Sequence, residues 1–414
     1  MTGTIPAADR EILRSLAARQ AELARGAVNL ERRSAWTKEK DLAPVRPMVL
    51  IEVWPIEGFV GADELFCSTE ETRAIEHGLR MGLRHFLEMH DDFVLPETYR
   101  LDWIVRSGDY GEGLEIHQLS SHEGPSLGFG FDHPIRTVDR IQLLHPRIHR
   151  IDRQATLQRK ERVDSIFGDL LPVELSGGLY HIGLTSELFK LIGNENLMYW
   201  CYDEPDAIRS ILEYLYQDRR SYLATLEREE CLTTNVLNPF VGSGTPGYTT
   251  ALPDPGREVP VDFSKVWAWS EAQETEGVSP ALFADLFLPS MAKLARQAGL
   301  VYYGCCERVD DRIDLIRKAI PNIRAVSCSP WTDVDRLAER LGSEAVLSKK
   351  PTASYISGSE EQVDAIEEET RRTVAAARRN GTPLEIVFRD LYTVGGDRDK
   401  LRRWAERVRS IAET

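Results

Sequence analysis

The sequence predicts an α/β protein, and within that class a (β/α)8 TIM barrel with an N-terminal helical arm and inserted hairpins and loops. In the second half, five short apolar runs are each followed by a helical pattern, and such repeated strand-helix units build a parallel sheet. The 414 residues, 42% of them hydrophobic and 28% charged, suffice for one large core. A doubly wound sheet is the alternative, but no glycine-rich phosphate loop follows the first predicted strand.

The first half begins with a predicted helical arm over residues 1–45, because "AADREILRSLAARQAELARG" places apolar residues at helical spacing. We expect this arm to pack on the body or on a second subunit, which makes a homodimer reasonable. The run "RPMVLIEVWP" predicts a buried strand, and a helix is expected over residues 69–90. Residues 95–180 mix alternating stretches with many glycines and prolines, which is typical of inserted hairpins and loops. Residues 46–414 are therefore predicted to form one domain.

The second half has a more regular pattern. A long helix is predicted over residues 204–230, followed by the loop "NPFVGSGTPGYTTALPDPG", whose length and composition suit a loop that covers a substrate. Five predicted strands follow, each with a helical segment after it. They are "KVWAWS", "LVYYGCC", "IRAVSCS", "EAVLSKK" and "LEIVFRD".

Composition excludes several classes of function. The chain has 51 Lys and Arg against 66 Asp and Glu, a formal charge of -15, which disfavours nucleic acid as a partner. No apolar run has the length of a membrane span, and the N-terminal residues lack the apolar centre of a signal peptide, so we expect a cytoplasmic protein without membrane contact. Six cysteines are too few for a disulfide framework in a chain of this length.

Cysteines and a glutamate follow two neighbouring predicted strands. Cys305, Cys306 and Glu307 end one strand, and Cys328 ends the next. Barrel enzymes carry their catalytic groups at these ends, and thiolates with a carboxylate suit zinc, which would activate a sulfur nucleophile. The alternative is that these cysteines are ordinary core residues, since adjacent residues on a strand point to opposite faces.

Further candidates lie at the other strand ends. Glu271, Glu274 and Asp390 are candidate catalytic groups for proton transfer, although such carboxylates also cap helices or face water. Aromatic residues near strand ends could line a pocket for a small-molecule substrate or stabilise a cationic methyl group, although core packing explains them equally well. The candidate substrate-binding residues are Glu52, Trp54, His181, Tyr248, Trp269, Gln273 and Tyr303.

A longer stretch carries a family resemblance. The run "EAQETEGVSPALFADLFLPSMAKLARQAGLVYYGCCERVDDR", with its acidic residue, Ser-Pro pair and cysteine-bearing strand end, resembles the uroporphyrinogen decarboxylase superfamily. The resemblance extends well over residues 200–412 and loosely over the first half. It implies a (β/α)8 barrel and one of two chemistries. The first is cofactor-free decarboxylation of a tetrapyrrole, and the second is zinc-dependent methyl transfer between a corrinoid and a thiol or tetrahydrofolate.

The residues favour the methyltransferase branch of this superfamily. Decarboxylases of the superfamily resemble one another in an arginine-rich N-terminal stretch, where this chain has "MVLIEVWPIEGF" with Glu52. The methyltransferase branch has a His-x-Cys motif, in which Cys305 matches the cysteine and Tyr303 replaces the histidine. The resemblance therefore implies a methyltransferase or demethylase with zinc and with a corrinoid (cobalamin) on a partner protein. The alternatives are a metal-independent decarboxylase and a barrel that only binds a tetrapyrrole.

Overall fold

A computed structural model describes residues 4–120, 129–254, 261–358 and 361–414. Its strands are β1 (Met48–Ile51), β2 (Tyr99–Asp102), β3 (Val105–Ser107), β4 (Gln118–Ser120), β5 (Phe129–Phe131), β6 (His149–Ile151), β7 (Val173–Ser176), β8 (Trp267–Ser270), β9 (Leu300–Tyr303), β10 (Ile323–Cys328), β11 (Val346–Lys349) and β12 (Leu384–Phe388). Its helices are α1 (Ala7–Ala24), α2 (Ala27–Lys40), α3 (Glu70–Glu88), α4 (Arg153–Phe167), α5 (Leu184–Asp203), α6 (Pro205–Arg228), α7 (Pro280–Leu286), α8 (Leu288–Ala295), α9 (Ile313–Ala319), α10 (Val334–Leu341), α11 (Ser354–Ser357), α12 (Val363–Asn380) and α13 (Asp399–Glu413). None of the helices within these ranges is long and apolar enough to cross a bilayer.

A six-stranded parallel sheet forms the centre of the fold, in the order β1-β12-β11-β10-β9-β8. A second parallel pair, β2 and β7, is joined to β8 by a bridge between His181 and Trp269. These eight strands follow one another in the order of a TIM barrel, with helices in the connections. The predicted α/β class and its parallel sheet are confirmed.

The predicted closed barrel differs from the structure at two places among the described residues, since β7 and β8 are linked only by the isolated His181–Trp269 bridge and β1 and β2 are not linked at all. Within the described residues no hydrogen-bonded ladder joins β1 to β2, so the ring of strands has an open seam. Two adjacent cavities lie in this seam, one against β1 and one against β2. Both are lined by Gly82, Phe93 and Phe240. Side chains and cavities take the place of backbone hydrogen bonds there, and the sheet is TIM-barrel-like without being closed.

The remaining predicted elements are found close to their expected bounds. The arm consists of α1 and α2, and Leu13 and Ala17 of α1 pack with α3 and α4 in one buried cluster. The predicted helices over residues 69–90 and 204–230 correspond to α3 and α6. Of the expected hairpins, β4 and β5 form an antiparallel pair of consecutive strands, whereas β3 pairs antiparallel with β6, a strand that follows β4 and β5 in the chain.

The two faces of the sheet have different neighbours, because successive side chains of a strand alternate. Outward residues such as Tyr303, Val326 and Cys328 join the core that the sheet shares with the helices. Inward residues such as Tyr302 and Ala325 belong to a separate buried cluster inside the ring of strands. This alternation decides which strand-end residues can meet at the centre.

The glycine-rich loop after α6 fills the inside of the ring, where the sequence had predicted a substrate-covering loop. Residues 241–249 are buried throughout. A Cβ atom at Gly242 would lie 2.5 Å from the Tyr302 ring, and one at Gly247 would lie 2.6 Å from the Asn235 carbonyl oxygen. Glycine is required at both positions, because the Cβ atom of any other residue would clash with these groups.

A buried ion pair crosses the interior between Lys40 of α2 and Glu385 of β12, and both side chains are fully buried. Thr245 of the interior loop donates to Glu385 Oε2 over 2.8 Å and accepts from Lys40 over 2.7 Å. Burial alone would raise the pKa of Glu385, yet Lys40 and Lys350 keep that pKa below its ordinary value. The pair therefore holds the arm, the loop and the sheet together.

We expect Lys40→Met to lower the free energy of unfolding by about 3–5 kcal/mol, because it leaves a buried carboxylate without its nearest cation. The double variant Lys40→Met, Glu385→Leu should lose clearly less, since two apolar side chains can replace a buried ion pair. Urea unfolding followed by circular dichroism measures both. The control is Arg33→Met, which removes a partly exposed pair with Glu97 and should cost less than about 1 kcal/mol. Equal losses in the single and double variants would contradict this assignment.

Candidate functional site

The carboxyl ends of the parallel strands meet at one edge of the ring, which we call the mouth. Glu52 follows β1, Glu271 follows β8, Cys305 comes two residues after β9, and Arg389 follows β12. Because parallel strands all end on this side, the strand-end rule brings these residues to one surface. They form two groups of side chains, one of thiols with an arginine and one of carboxyl groups.

The first group is the thiol pair, Cys305 and Cys306, whose sulfur atoms lie 3.5 Å apart. Gly304 has a φ of +96°, so the chain turns immediately after β9 and the two cysteines no longer alternate as in a strand. Cys305 is buried and Cys306 is exposed. Asp390 Oδ2 lies 3.8 Å from the Cys306 sulfur. The pair thus presents one accessible sulfur at the mouth and one buried sulfur behind it.

The two thiols differ in acidity, and Cys306 loses its proton before Cys305 does. The hydrogen bond from Cys305 lowers the pKa of Cys306, and the Arg389 charge lowers it further against the opposing effects of burial and Asp390. The same hydrogen bond, together with burial, raises the pKa of Cys305 well above its ordinary range. The exposed sulfur is therefore the one that ionises, with the buried thiol as its donor.

Arg389 connects the thiol pair to β1 and to the interior loop. Its Nε donates to Glu52 Oε2 over 2.9 Å, and its Nη1 donates to Ser243 Oγ over 2.6 Å and lies 3.5 Å from the Cys305 sulfur. Burial works against the charge, but Glu52 and the neighbouring acidic groups raise the pKa of Arg389. The guanidinium is thus fixed in place on three sides.

Glu307 joins the ends of two strands. Its Oε1 accepts the Ala272 N–H over 3.0 Å, and its Oε2 accepts the Cys305 N–H over 2.8 Å. Burial, together with the nearby Glu271, raises the pKa of Glu307 to about 7. Both carboxylate oxygens are used by the backbone, so Glu307 shapes the turn that carries the thiols.

The second group consists of carboxyl groups beside a histidine. Glu271 Oε2 accepts the Gln273 N–H over 3.0 Å, and Thr185 donates to Glu274 Oε2 over 2.7 Å. Burial raises the pKa of Glu271 to about 7, and burial with repulsion by Glu271 raises that of Glu274 to about 7. Both side chains are consequently poised to give or take a proton near neutral pH.

His181 stands beside Glu271 as a neutral imidazole. Its Nε2 lies 3.3 Å from Glu271 Oε1, but neither atom makes a hydrogen bond within the described residues. Burial lowers the pKa of His181 to about 4. Gly183 makes room for this contact, because a Cβ there would lie 2.3 Å from Glu271 Oε1.

The other sequence-predicted residues divide between the mouth and the core. Trp269 lies between the two groups and donates from Nε1 to the Gly304 carbonyl over 3.0 Å. Gln273 is half-buried next to Glu274, and Trp54 is 62% exposed near Glu52. Tyr303 and Tyr248 are buried away from the mouth, Tyr303 on the outward face and Tyr248 inside the ring.

The residues predicted to hold zinc do not assemble into a site. A structural or catalytic zinc takes at least three protein ligands, and no three His, Cys, Asp or Glu side chains of the described ranges are placed to hold one. Cys328 faces the helices rather than the thiol pair. The guanidinium of Arg389 already lies beside the Cys305 sulfur. The donor set present here therefore does not fit the predicted ion.

Sequence reasoning missed some residues of the mouth. The predicted catalytic residue at the end of β12 is Asp390, whereas the inward alternation of Glu385 and Val387 indicates that Arg389 faces the centre. Thr185 could have been suspected from its place in the first turn of α5. Ser243 carried no local signal, because its contact with Arg389 depends on how the interior loop packs.

Comparisons with known proteins bear on the fold. No protein-family model matches the sequence, and no curated protein matches it. Among solved structures, 17 chains match. One of them is a methyltransferase from Methanosarcina mazei, with a TM-score of 0.50 and 11% identity over 92% of this chain and 99% of that chain. At this identity the likeness shows the shared fold alone.

We expect Cys306 to be the first cysteine alkylated by iodoacetamide at pH 7, because it is exposed and the pKa of its thiol is lowered. Removing the donor with Cys305→Ala should shift the pH midpoint of alkylation upward. Peptide mass spectrometry over a pH series measures both effects. Cys67→Ser serves as the control, since that buried thiol has a pKa raised to about 12. Equal labelling of Cys67 and Cys306 in the folded protein would contradict the assignment.

The carboxyl group at Glu271 should make the protein less stable as the pH rises from 5 to 8. The folded state raises the pKa of Glu271 from 4.5 to about 7, so it binds more protons than the unfolded state in this window, and stability present at low pH is lost through pH 7. Glu271→Gln should flatten this slope in urea unfolding. Glu64→Gln is the control, because the pKa of Glu64 is lowered to about 2 and its contribution changes only under acidic conditions. An unchanged slope in Glu271→Gln would refute the raised pKa.

Proposed function

We propose that this protein is a methyltransferase-type enzyme in which the thiol pair at the mouth carries the methyl group. The observation that carries the proposal is the contact of the two sulfur atoms at 3.5 Å, with Arg389 Nη1 a further 3.5 Å from Cys305. A fold shared with a methyltransferase supports it in general terms. The resemblance to the uroporphyrinogen decarboxylase superfamily is part of the same proposal.

The first step is attack by the Cys306 thiolate on the methyl carbon of the donor. A carbon-sulfur bond forms, and the bond between the methyl carbon and its nitrogen or oxygen breaks, so the leaving heteroatom takes the electron pair. Glu274, whose pKa is about 7, supplies a proton when the leaving group is an alkoxide or phenolate, whereas an amine that leaves from an ammonium donor departs neutral and needs none. Glu271 affects this proton transfer, because the ionisation of either carboxyl group changes the pKa of the other.

The second step returns the methyl group to an acceptor and restores the thiolate. The electron pair of the acceptor forms the new bond to the methyl carbon as the carbon-sulfur bond breaks, and the electron pair of the broken bond goes back to the Cys306 sulfur. The Cys305 thiol and Arg389 stabilise the departing thiolate, because a thiol with a lowered pKa leaves more readily. The same contacts that make Cys306 ionise therefore make its methylation reversible.

The acceptor and the partner belong to the proposal as well. A corrinoid carried by a partner protein, or tetrahydrofolate, would receive the methyl group at the mouth, and a nucleophilic cobalt or nitrogen is the chemistry either would supply. The two steps proposed here are assigned to side chains of this chain alone and use no zinc. We further propose that the enzyme works in the cytoplasm and that the arm formed by α1 and α2 supports a homodimer.

We expect methyl label from an isotopically labelled donor to appear on Cys306. A panel of methylated amines and aryl methyl ethers, with reduced cobalamin as acceptor, supplies the assay, and peptide mass spectrometry locates the label. Cys306→Ala should abolish labelling, and Glu274→Gln should slow transfer from aryl methyl ethers by about a hundredfold or more. The control Cys201→Ala removes a buried thiol outside the site and should transfer at the wild-type rate.

Three results would contradict this function. Transfer to cobalamin at the wild-type rate in Cys306→Ala would remove the thiol from the mechanism. Release of carbon dioxide from uroporphyrinogen, without methyl transfer from any donor, would support the decarboxylase instead. A tight absorbance shift with a tetrapyrrole and no turnover would indicate the binding-only barrel.

A further inference from the structure

A small cavity in the open seam is not used by the proposed mechanism. It has a volume of about 190 Å³ and is bounded by the end of β1, by α3 and by the start of the interior loop. Pockets that hold drug-sized ligands measure roughly 300–1,000 Å³, so this cavity suits a small group. A second cavity of about 370 Å³ shares Gly82, Phe93, Pro239 and Phe240 with it and leads toward β2.

Glu52 gives this cavity a negative wall. It is the only Asp, Glu, Lys or Arg among the residues that line the cavity. The side chain is about 95% buried, with 5% of its surface exposed, and its Oε1 has no hydrogen-bond partner within the described part of the chain. The other oxygen, Oε2, accepts from Arg389 over 2.9 Å. A buried carboxylate oxygen without a donor is costly, and a ligand that brings an N–H and a positive charge would satisfy it.

Aromatic rings form much of the remaining wall. Trp54, Phe93, Phe240 and the imidazole of His85 all line the cavity, and the rings of His85 and Phe93 are stacked with their centroids 3.9 Å apart. Aromatic surface attracts cations through its π electrons and accepts methyl groups without a desolvation penalty. A carboxylate with a free oxygen beside aromatic rings is the combination that recognises a methylated ammonium ion.

The cavity is also coupled to the thiol pair through a single side chain. Arg389 contacts Glu52 on the cavity side and Cys305 on the thiol side. Asp390 adds a second carboxylate next to Cys306. Two carboxylates and one ionisable thiol thus lie around one guanidinium.

We propose that this cavity binds a small ammonium group of the substrate, one that keeps an N–H for Glu52 Oε1. The inference rests on the proposed function, which it deepens by naming methylated amines as the substrate class. In this arrangement Glu52 and the aromatic rings bind the cation. Arg389 contacts both Glu52 and Cys305 and so fixes the position of the cation relative to the thiols. Neutral methyl ethers lack the charge that the cavity selects.

Binding of trimethylammonium and of tert-butanol to the full-length protein tests the proposal. The two molecules have three methyl groups and one hydrogen-bond donor each, and they differ in charge. Isothermal titration should give a dissociation constant for trimethylammonium that is at least about tenfold lower than that for tert-butanol. Equal affinity for the two, or no binding of trimethylammonium at millimolar concentration, overturns the proposal.

Two variants locate the site. Glu52→Gln should weaken trimethylammonium binding by about tenfold or more and leave tert-butanol binding nearly unchanged. Because Glu52→Gln also disturbs Arg389, Phe240→Leu provides a second test that removes an aromatic ring without touching the ion pair. Phe66→Leu is the matched control, since Phe66 is 66% exposed and does not line the cavity. Unchanged affinity in both cavity variants overturns the assignment.

The ammonium site and the thiol mechanism can be refuted independently, because the binding experiment tests the first and the methyl-transfer assay tests the second. Charge-selective binding without label on Cys306 would support the ammonium site and refute the thiol mechanism. Label on Cys306 from a neutral donor, without trimethylammonium binding, would support the mechanism and refute the ammonium site.

Discussion

The mouth depends on the position of one guanidinium. Arg389 at the end of β12 donates to Glu52 after β1 and to Ser243 in the interior loop, and it lies against the Cys305 sulfur after β9. Three parts of the chain that are distant in sequence are thereby fixed around a single charge. Because the contacts to Glu52 and Ser243 are direct hydrogen bonds, a shift of β12 would move the cavity and the thiols together.

The thiol pair and the carboxyl groups are separate environments joined by the backbone. Glu307 accepts N–H groups from the ends of both β8 and β9, which sets the distance between Glu271 and the thiols. The thiol side has an arginine that favours an anion, whereas burial on the carboxyl side favours neutral acids and a neutral His181. A nucleophile and a proton donor can therefore coexist near neutral pH in one mouth.

The local sequence pattern predicted the helices and strands and most residues of the mouth. It did not predict how the interior of the ring is filled. Each of the five apolar runs in the second half corresponds to a strand, and the strand-end rule correctly brings Glu271 and Cys305 to one surface. Cys328 was predicted to meet the other cysteines, but the alternation of side chains along β10 places it on the face that packs against the helices. The open seam and the Ser243 contact depend on tertiary packing of the interior loop, for which no short stretch of sequence carries a signal.

The pairing of β1 with β12 has a consequence for synthesis on the ribosome. Within the described residues β1 forms a hydrogen-bonded ladder only with β12. Lys40, just before β1, pairs with Glu385 of β12, which lies 345 residues later in the chain. The apolar strand Met48–Ile51 thus leaves the ribosome long before its partner exists. Until the last tenth of the chain emerges, this segment has an open edge that can pair wrongly with other chains, so chaperones that cover short apolar strands should matter more for this protein than for one with local pairing.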